Sequence, residues 1–184
     1  MIMDIKYKIE FFSNWHCGSG LAAGADVDAL VVKDAEGLPY VPGKTIKGLL
    51  REAAEELNGT SSLLNKIFGL SGEAKLSDSE TSRVGESFFS NAILPEGSAI
   101  IASNLIPHLY QTFASTSIDE ESGIAKDNTL RRIETVIPCC LEGEIRNIPE
   151  IGTALLEEAM QFIKRMGTGR NRGYGRCKIS VIKE

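Results

Sequence analysis

Long apolar runs are missing from this chain: nothing in its 184 residues approaches the ~18 consecutive apolar side chains that a membrane-spanning helix requires. The amino-terminal MIMDIKYKIE alternates charged and apolar residues, unlike a signal peptide. The protein is therefore expected to be neither membrane-spanning nor secreted. Cysteine is scarce, and Cys17, Cys139, Cys140 and Cys177 form no C-x-x-C pair. That spacing argues against a zinc site or a disulfide framework and for a reducing, cytoplasmic setting. A surplus of positive charge is lacking too, since the formal net charge is −5. With 42% hydrophobic residues the chain has enough to bury one sizeable core but not two, so one domain over residues 1–184 is the expectation.

The distribution of charge reverses the impression left by its total. Lys164, Arg165, Arg170, Arg172, Arg176 and Lys178 fall in one segment, and Lys44, Lys47 and Arg51 in another, with no acid in either. The two segments, residues 164–178 and 44–51, hold 23 residues and carry +9, which leaves 11 basic against 25 acidic side chains, a net of −14, in the other 161. Most of the surface would repel a polyanion, so any nucleic-acid contact is confined to those two segments. Basic side chains at helix ends that merely face solvent would account for the charge equally well.

Ile5, Tyr7, Ile9 and Phe11 alternate with charged residues, the period of a half-buried strand. Asn14 to Asp28 is rich in Gly, Ala and Ser without apolar periodicity and reads as a mobile loop. Ala29 to Val32 and the Pro-bounded Leu38 to Pro42 read as edge structure. From Lys44 to Leu57, apolar residues at positions 46, 49, 50, 53 and 57 predict a helix, stopped by Asn58-Gly59. Glu86 to Leu94 is expected as a central strand, and Ile133 to Ile145 as a third core strand. Between them, residues 95–131 read as an insertion, a projecting hairpin or flap. Leu155 to Met166 repeats at helical spacing up to Gly167, and Cys177 to Ile182 closes the chain as a strand. The order β-α-β-β-α-β with one insertion predicts an α+β, ferredoxin-like fold, the arrangement of RNA-recognition (RRM) modules. Aromatics at 7% give no base-stacking platform of the usual RRM kind.

Three motifs carry candidate chemistry. In GTGRNRGYGR, residues 167–176, glycines including Gly169, Gly173 and Gly175 permit close backbone approach while Arg170, Arg172 and Arg176 can fork onto phosphates. A flexible turn with solvated arginines is the alternative. A dinucleotide loop fits less well, because residue 172 is Arg and the segment leads into a strand, whereas a Rossmann motif opens a helix. In PGKTIKGLLR, residues 42–51, Lys44, Thr45, Lys47 and Arg51 follow a helix amino terminus suited to phosphate. Leu38 stands where a Walker A loop needs glycine, so an ATPase is not indicated, and a capped surface helix remains open. In the loop after the first strand, His16 suits acid–base work or simple packing. Asp26 and Asp28 suit a divalent ion or simple turn formation.

Taken in order, the Gly-rich loop, PGKTIKGLLREA, FFSNA and GTGRNRGYGR resemble the RAMP superfamily over nearly the whole chain. The likeness is to the guide-RNA-binding backbone subunits of type III CRISPR effector complexes. It implies that His16 matches a loop histidine at the RNA and that Asp28, followed by ALVVKD, matches the cleavage aspartate, with Asp26 as its rival. It implies that the tract from Ser115 to Arg132, with Arg131 and Arg132 at its end, is a thumb that wedges into the guide–target duplex. The partners implied are CRISPR guide RNA, complementary target RNA, other effector subunits and head-to-tail copies of the chain. The implied cofactor is a divalent metal, magnesium, held by Asp28. A metal-independent guide-processing endoribonuclease using His16, a non-catalytic RNA-binding subunit, and a ferredoxin-like metabolite-binding domain are the competing readings.

Overall fold

The computed structural model describes residues 1–22, 27–70, 84–95 and 104–183. The elements in chain order are β1 (Ile2–Phe11), α1 (Gly43–Glu56), α2 (Ser61–Phe68), β2 (Phe88–Phe89), β3 (Tyr110–Ser115), β4 (Arg131–Val136), β5 (Cys140–Pro149), α3 (Glu150–Phe162) and β6 (Cys177–Val181). This is a mixed α+β architecture. Four strands form one sheet in the order β2-β5-β1-β6, every neighbour antiparallel, and β3 and β4 form a separate two-stranded ribbon.

The alternation in β1 decides which way the sheet faces. Ile5, Tyr7, Ile9 and Phe11 are buried while Lys6, Lys8 and Glu10 are exposed, so one face packs under the helices and the other meets solvent. The helices supply Ile46, Leu50 and Ala53 from α1, Leu64, Ile67 and Phe68 from α2, and Leu156, Ala159 and Met160 from α3 to a single apolar cluster with the sheet. On the open face, β1 and β5 present Lys6, Lys8, Glu10, Glu142 and Glu144, and Phe88 stands at the sheet edge beneath Arg146.

Several expectations need correction. The segment around Phe88 is a two-residue strand at the sheet edge and not a central one. The stretch from Ile133 to Ile145 is two strands in two sheets. It breaks at Pro138, which has no N–H to donate, and the chain crosses from the ribbon to the main sheet there. The second predicted helix starts earlier, at Glu150, and ends at Phe162, before Gly167. Helix α2 was not anticipated, although Leu63, Leu64, Ile67 and Phe68 follow Thr60 with helical spacing.

The loop after β1 is not uniformly mobile. Trp15, His16 and Cys17 are buried, and Trp15 stacks on Phe11 with centroids 4.5 Å apart and planes 10° off parallel. Such a pair contributes about 0.5–1.5 kcal/mol beyond the area it buries. All four cysteines are free thiols, and burial pushes those of Cys139 and Cys177 up to about 11. Among the described residues no helix is long and apolar enough to cross a membrane.

Candidate nucleic-acid interface

Residues Asn14 to Cys17 hold the candidate motifs together. On one side, Trp15 exchanges backbone hydrogen bonds with Val136 of β4 at 3.0 and 2.8 Å. On the other, the Asn14 carbonyl accepts the Gly175 amide at 2.8 Å and the His16 carbonyl accepts that of Thr168 at 3.0 Å. The Gly-Arg loop is thereby docked against the base of the ribbon.

Within that loop a 3-10 turn, Arg170–Arg172, lies between Gly169 and Gly173, both left-handed. Gly175 is required by space as well as by its φ of 68°, because a Cβ there would stand 1.8 Å from the Met166 carbonyl oxygen. At Gly169 a Cβ would meet the Tyr174 ring at 2.6 Å. These two glycines therefore build the loop itself, and only Gly173 faces open space.

Between the loop and the ribbon runs a groove of about 790 Å³ lined by Phe113, Arg131, Gly169, Arg170, Arg172 and Tyr174, among others. Phe113 and Tyr174 meet across it with centroids 5.7 Å apart, tilted by 59°. Arg131 and Arg172 continue into an adjoining cleft of about 320 Å³ with Ser115, Ser117 and Thr129. Aromatic faces bordered by three guanidiniums suit stacked bases and the phosphates between them. Composition pointed to no stacking platform, and a strand residue met by a loop residue 61 positions later leaves no local signal.

Asp28 stands beside β4 near the tip-ward end of the ribbon, paired with Arg132, the neighbour of the groove-lining Arg131. Its Oδ2 accepts the Arg132 amide at 2.6 Å and its own amide donates to the Arg132 carbonyl at 2.8 Å. The carboxylate is exposed, and no further partner of its second oxygen is seen among the described residues. Asp26 lies outside the described residues. Among the described residues no group of three His, Cys, Asp or Glu side chains gathers. Magnesium commonly takes one or two carboxylates, keeps several waters and completes its shell with phosphate oxygens. One exposed carboxylate beside a basic groove fits such an ion only where RNA supplies the remaining donors.

A neighbouring network fixes the segment that follows Asp28. Glu134 accepts the Val31 amide at 3.0 Å and pairs with Lys33 at 2.8 Å, while the Lys33 ammonium lies 3.9 Å from the Tyr110 ring centroid. Sequence reading missed Glu134, Lys33 and Tyr110, which meet only in three dimensions.

Other candidates sit elsewhere. His16 is 3% exposed, and its Nδ1–H donates to the Glu134 carbonyl at 2.6 Å, so it is a packed side chain that does not line the groove. Thr45 is half-buried against Cys17, whose thiol is raised by burial, with Lys44 exposed beside it. The start of α1 does not present a free phosphate cradle: the Gly43 amide donates to Asn91 Oδ1 at 2.9 Å, and a Cβ at Gly43 would stand 2.1 Å from the Phe89 carbonyl oxygen. Lys47 is half-buried on α1. Arg51 bonds Glu55 at 2.8 Å and the Gly69 carbonyl at 2.7 Å, tying α1 to the end of α2. Arg176 parts from Arg170 and Arg172 and lines a second groove between α3 and β6.

No curated protein matches the chain in sequence. Chains of many solved assemblies share its fold, among them two from type III-B Cmr-beta complexes. One is in the cryo-EM structure of the type III-B Cmr-beta complex bound to cognate target RNA, with a TM-score of 0.73, 11% identity, and 97% of each chain covered. The other is in the apo state of type III-B Cmr-beta, with a TM-score of 0.72, 12% identity, and 99% of this chain and 98% of that one covered. At such identities the likeness is one of fold. The RAMP superfamily profile matches residues 8–178, nearly the full length of the sheet and helices just described, and the chain belongs to the RAMP superfamily.

Proposed function

We propose that the protein is a guide-RNA-binding subunit of a type III CRISPR effector complex, a single RRM-like domain of ferredoxin-like topology with the β3–β4 ribbon as its thumb. The observation that carries this reading is the groove in which Phe113 and Tyr174 are bordered by Arg131, Arg170 and Arg172. The strand order β2-β5-β1-β6 supports the topology, and a structural neighbour bound to target RNA supports the partner. The arginines take phosphates and the aromatic pair takes base faces, so the protein reads backbone and shape while base pairing reads sequence. RNA lies along the paired strands, where Arg131 and Arg132 stand, and not at the acidic tip beyond them.

In this reading Asp28, fixed by the Arg132 amide, faces the target phosphodiester with its other oxygen. A magnesium ion held there with RNA oxygens would act as Lewis acid on the scissile phosphate. Asp28 is tied to the Arg132 amide, and the segment behind it to Glu134 through the Val31 amide. A non-catalytic RNA-binding subunit is the second reading, favoured by the commitment of one Asp28 oxygen to the backbone. The His16-dependent reading is disfavoured by the burial of that side chain.

Target-RNA cutting by guide-loaded protein, with magnesium or with chelator, separates these readings. Asp28→Asn keeps an acceptor for the Arg132 amide and is expected to retain guide binding while cutting is lost. Cutting at the normal rate in that variant rejects the Asp28 role. Guide binding without cutting in the wild type favours the second reading, and failure to bind any RNA rejects both.

A further inference from the structure

The last pair of the ribbon, Ser115 opposite Arg131, borders the polar cleft of about 320 Å³ that adjoins the aromatic-lined groove. Thr116 and Ser117 leave β3 there, Asn128 and Thr129 lead back into β4, and Arg172 joins them from the Gly-Arg loop. Among the described residues no acidic side chain lines this cleft. The Lys126 amide donates to the Ser117 carbonyl at 2.8 Å, which ties the outgoing chain to the returning one just beyond it.

The hydroxyls of the cleft are committed unequally. Thr129 Oγ1 donates to the Lys126 carbonyl at 2.7 Å and accepts the Ser117 amide at 3.2 Å. A hydroxyl has one proton, and that of Thr129 is spent on Lys126, so Thr116 is the donor in the 2.8 Å contact between the two threonines. Both lone pairs of Thr116 Oγ1 are then left for a donor from outside. The Ser117 hydroxyl and the Asn128 side-chain amide are bonded to no protein group among the described residues, and neither Arg131 nor Arg172 is ion-paired there.

Guanidiniums only donate and phosphate oxygens only accept, so Arg131 and Arg172 are enough for a phosphate. An oriented acceptor beside them has no use on a phosphodiester, which carries no proton to give. Along a sugar–phosphate chain the donor is the 2′-hydroxyl, which RNA has and DNA lacks.

We propose that this cleft reads the ribose 2′-hydroxyl. Thr116 Oγ1 accepts its proton, the Ser117 hydroxyl and Asn128 amide donate to its oxygen, and Arg131 and Arg172 hold the adjoining phosphate. The ribbon thereby selects RNA over DNA of the same sequence, which the arginines and the aromatic pair cannot do, because phosphates and base faces are common to both polymers. The ligand class rests on the RNA-binding reading above and narrows it to one sugar.

Fluorescence anisotropy with three labelled single strands of one sequence tests this: RNA, DNA, and RNA carrying 2′-fluoro in place of every 2′-hydroxyl. The wild type should bind RNA about tenfold more tightly than either of the others, the size of one or two net hydrogen bonds. Thr116→Val should bring RNA affinity down to the level of DNA while leaving DNA affinity unchanged, and Thr116→Ser, which keeps the hydroxyl, should retain the preference. Arg172→Ala should weaken RNA and DNA alike and leave their ratio as it was. Equal affinity of the wild type for RNA and DNA would overturn the proposal and leave the RNA-binding reading standing, as would a Thr116→Val variant with the wild-type ratio. The 2′-fluoro strand keeps the pucker of RNA but has no proton to give. If it binds as well as RNA, sugar pucker is being read and the proposal fails. A wild type that binds none of the three strands rejects this inference and the RNA-binding reading together.

Discussion

Replacing Arg131, Arg170 and Arg172 together with alanine tests the groove quantitatively. Each side chain lines the space between ribbon and loop, and all three are exposed, so their loss removes phosphate contacts without opening the core. A cation that neutralises one phosphate of a single strand steepens the logarithmic salt dependence of binding by about 0.7. Three such contacts set a difference of about 2 in slope between wild type and variant. Over a fourfold rise in salt, the wild type should therefore lose roughly 20-fold more affinity than the triple variant. Fluorescence anisotropy with labelled single-stranded RNA, from low to moderate salt, measures both slopes. Phe113→Ala supplies the contrast, lowering affinity by about 1–3 kcal/mol through lost stacking while leaving the slope unchanged. Equal slopes for wild type and triple variant would refute the assignment of RNA to this groove, whatever happens to affinity at one salt concentration.

The remaining predictions concern the frame around the site. Gly175→Ala places a Cβ 1.8 Å from the Met166 carbonyl oxygen and should lower stability by at least about 2–4 kcal/mol in thermal melts. Gly173→Ala meets nothing within 4 Å and should cost only about 1–2 kcal/mol for its left-handed backbone. Glu134→Ala strands the buried Val31 amide and should cost about 1–3 kcal/mol in chemical denaturation, with the segment from Asp28 to Lys33 losing amide protection first. Asp119 is held below its ordinary value of 3.8, chiefly by the Ser122 amide and hydroxyl. A depressed carboxylate stabilises the folded tip fully above that ordinary value and stops doing so as pH falls through the depressed one, so tip amides should exchange faster only under acid conditions. Asp119→Asn should shift tip protection at neutral pH while leaving the core amides unchanged.

What the sequence determined by itself was local and periodic. Alternation in Ile5 to Phe11 placed β1, helical spacing placed α1, and the loop of glycines and arginines stood out by composition alone. Such signals survive because each residue's environment repeats along one element, every second or every third to fourth position. One short element escaped for a related reason: α2 holds eight residues, too few for a period to establish itself against its neighbours, while β2, expected as a central strand, keeps two residues at the sheet edge. Tertiary structure alone decided which candidates share a surface. It carried Phe113 to Tyr174 across 61 residues, placed Asp28 on the Arg132 amide, and separated Arg176 from Arg170 and Arg172 by the turn around Gly173 to Gly175. It also turned His16 inward and gave Arg51 to the end of α2, uses that depend on partners 118 and 18 residues away. Contacts at such separations arise from how sheet and ribbon pack on one core, and nothing in the spacing of side chains along the chain records them.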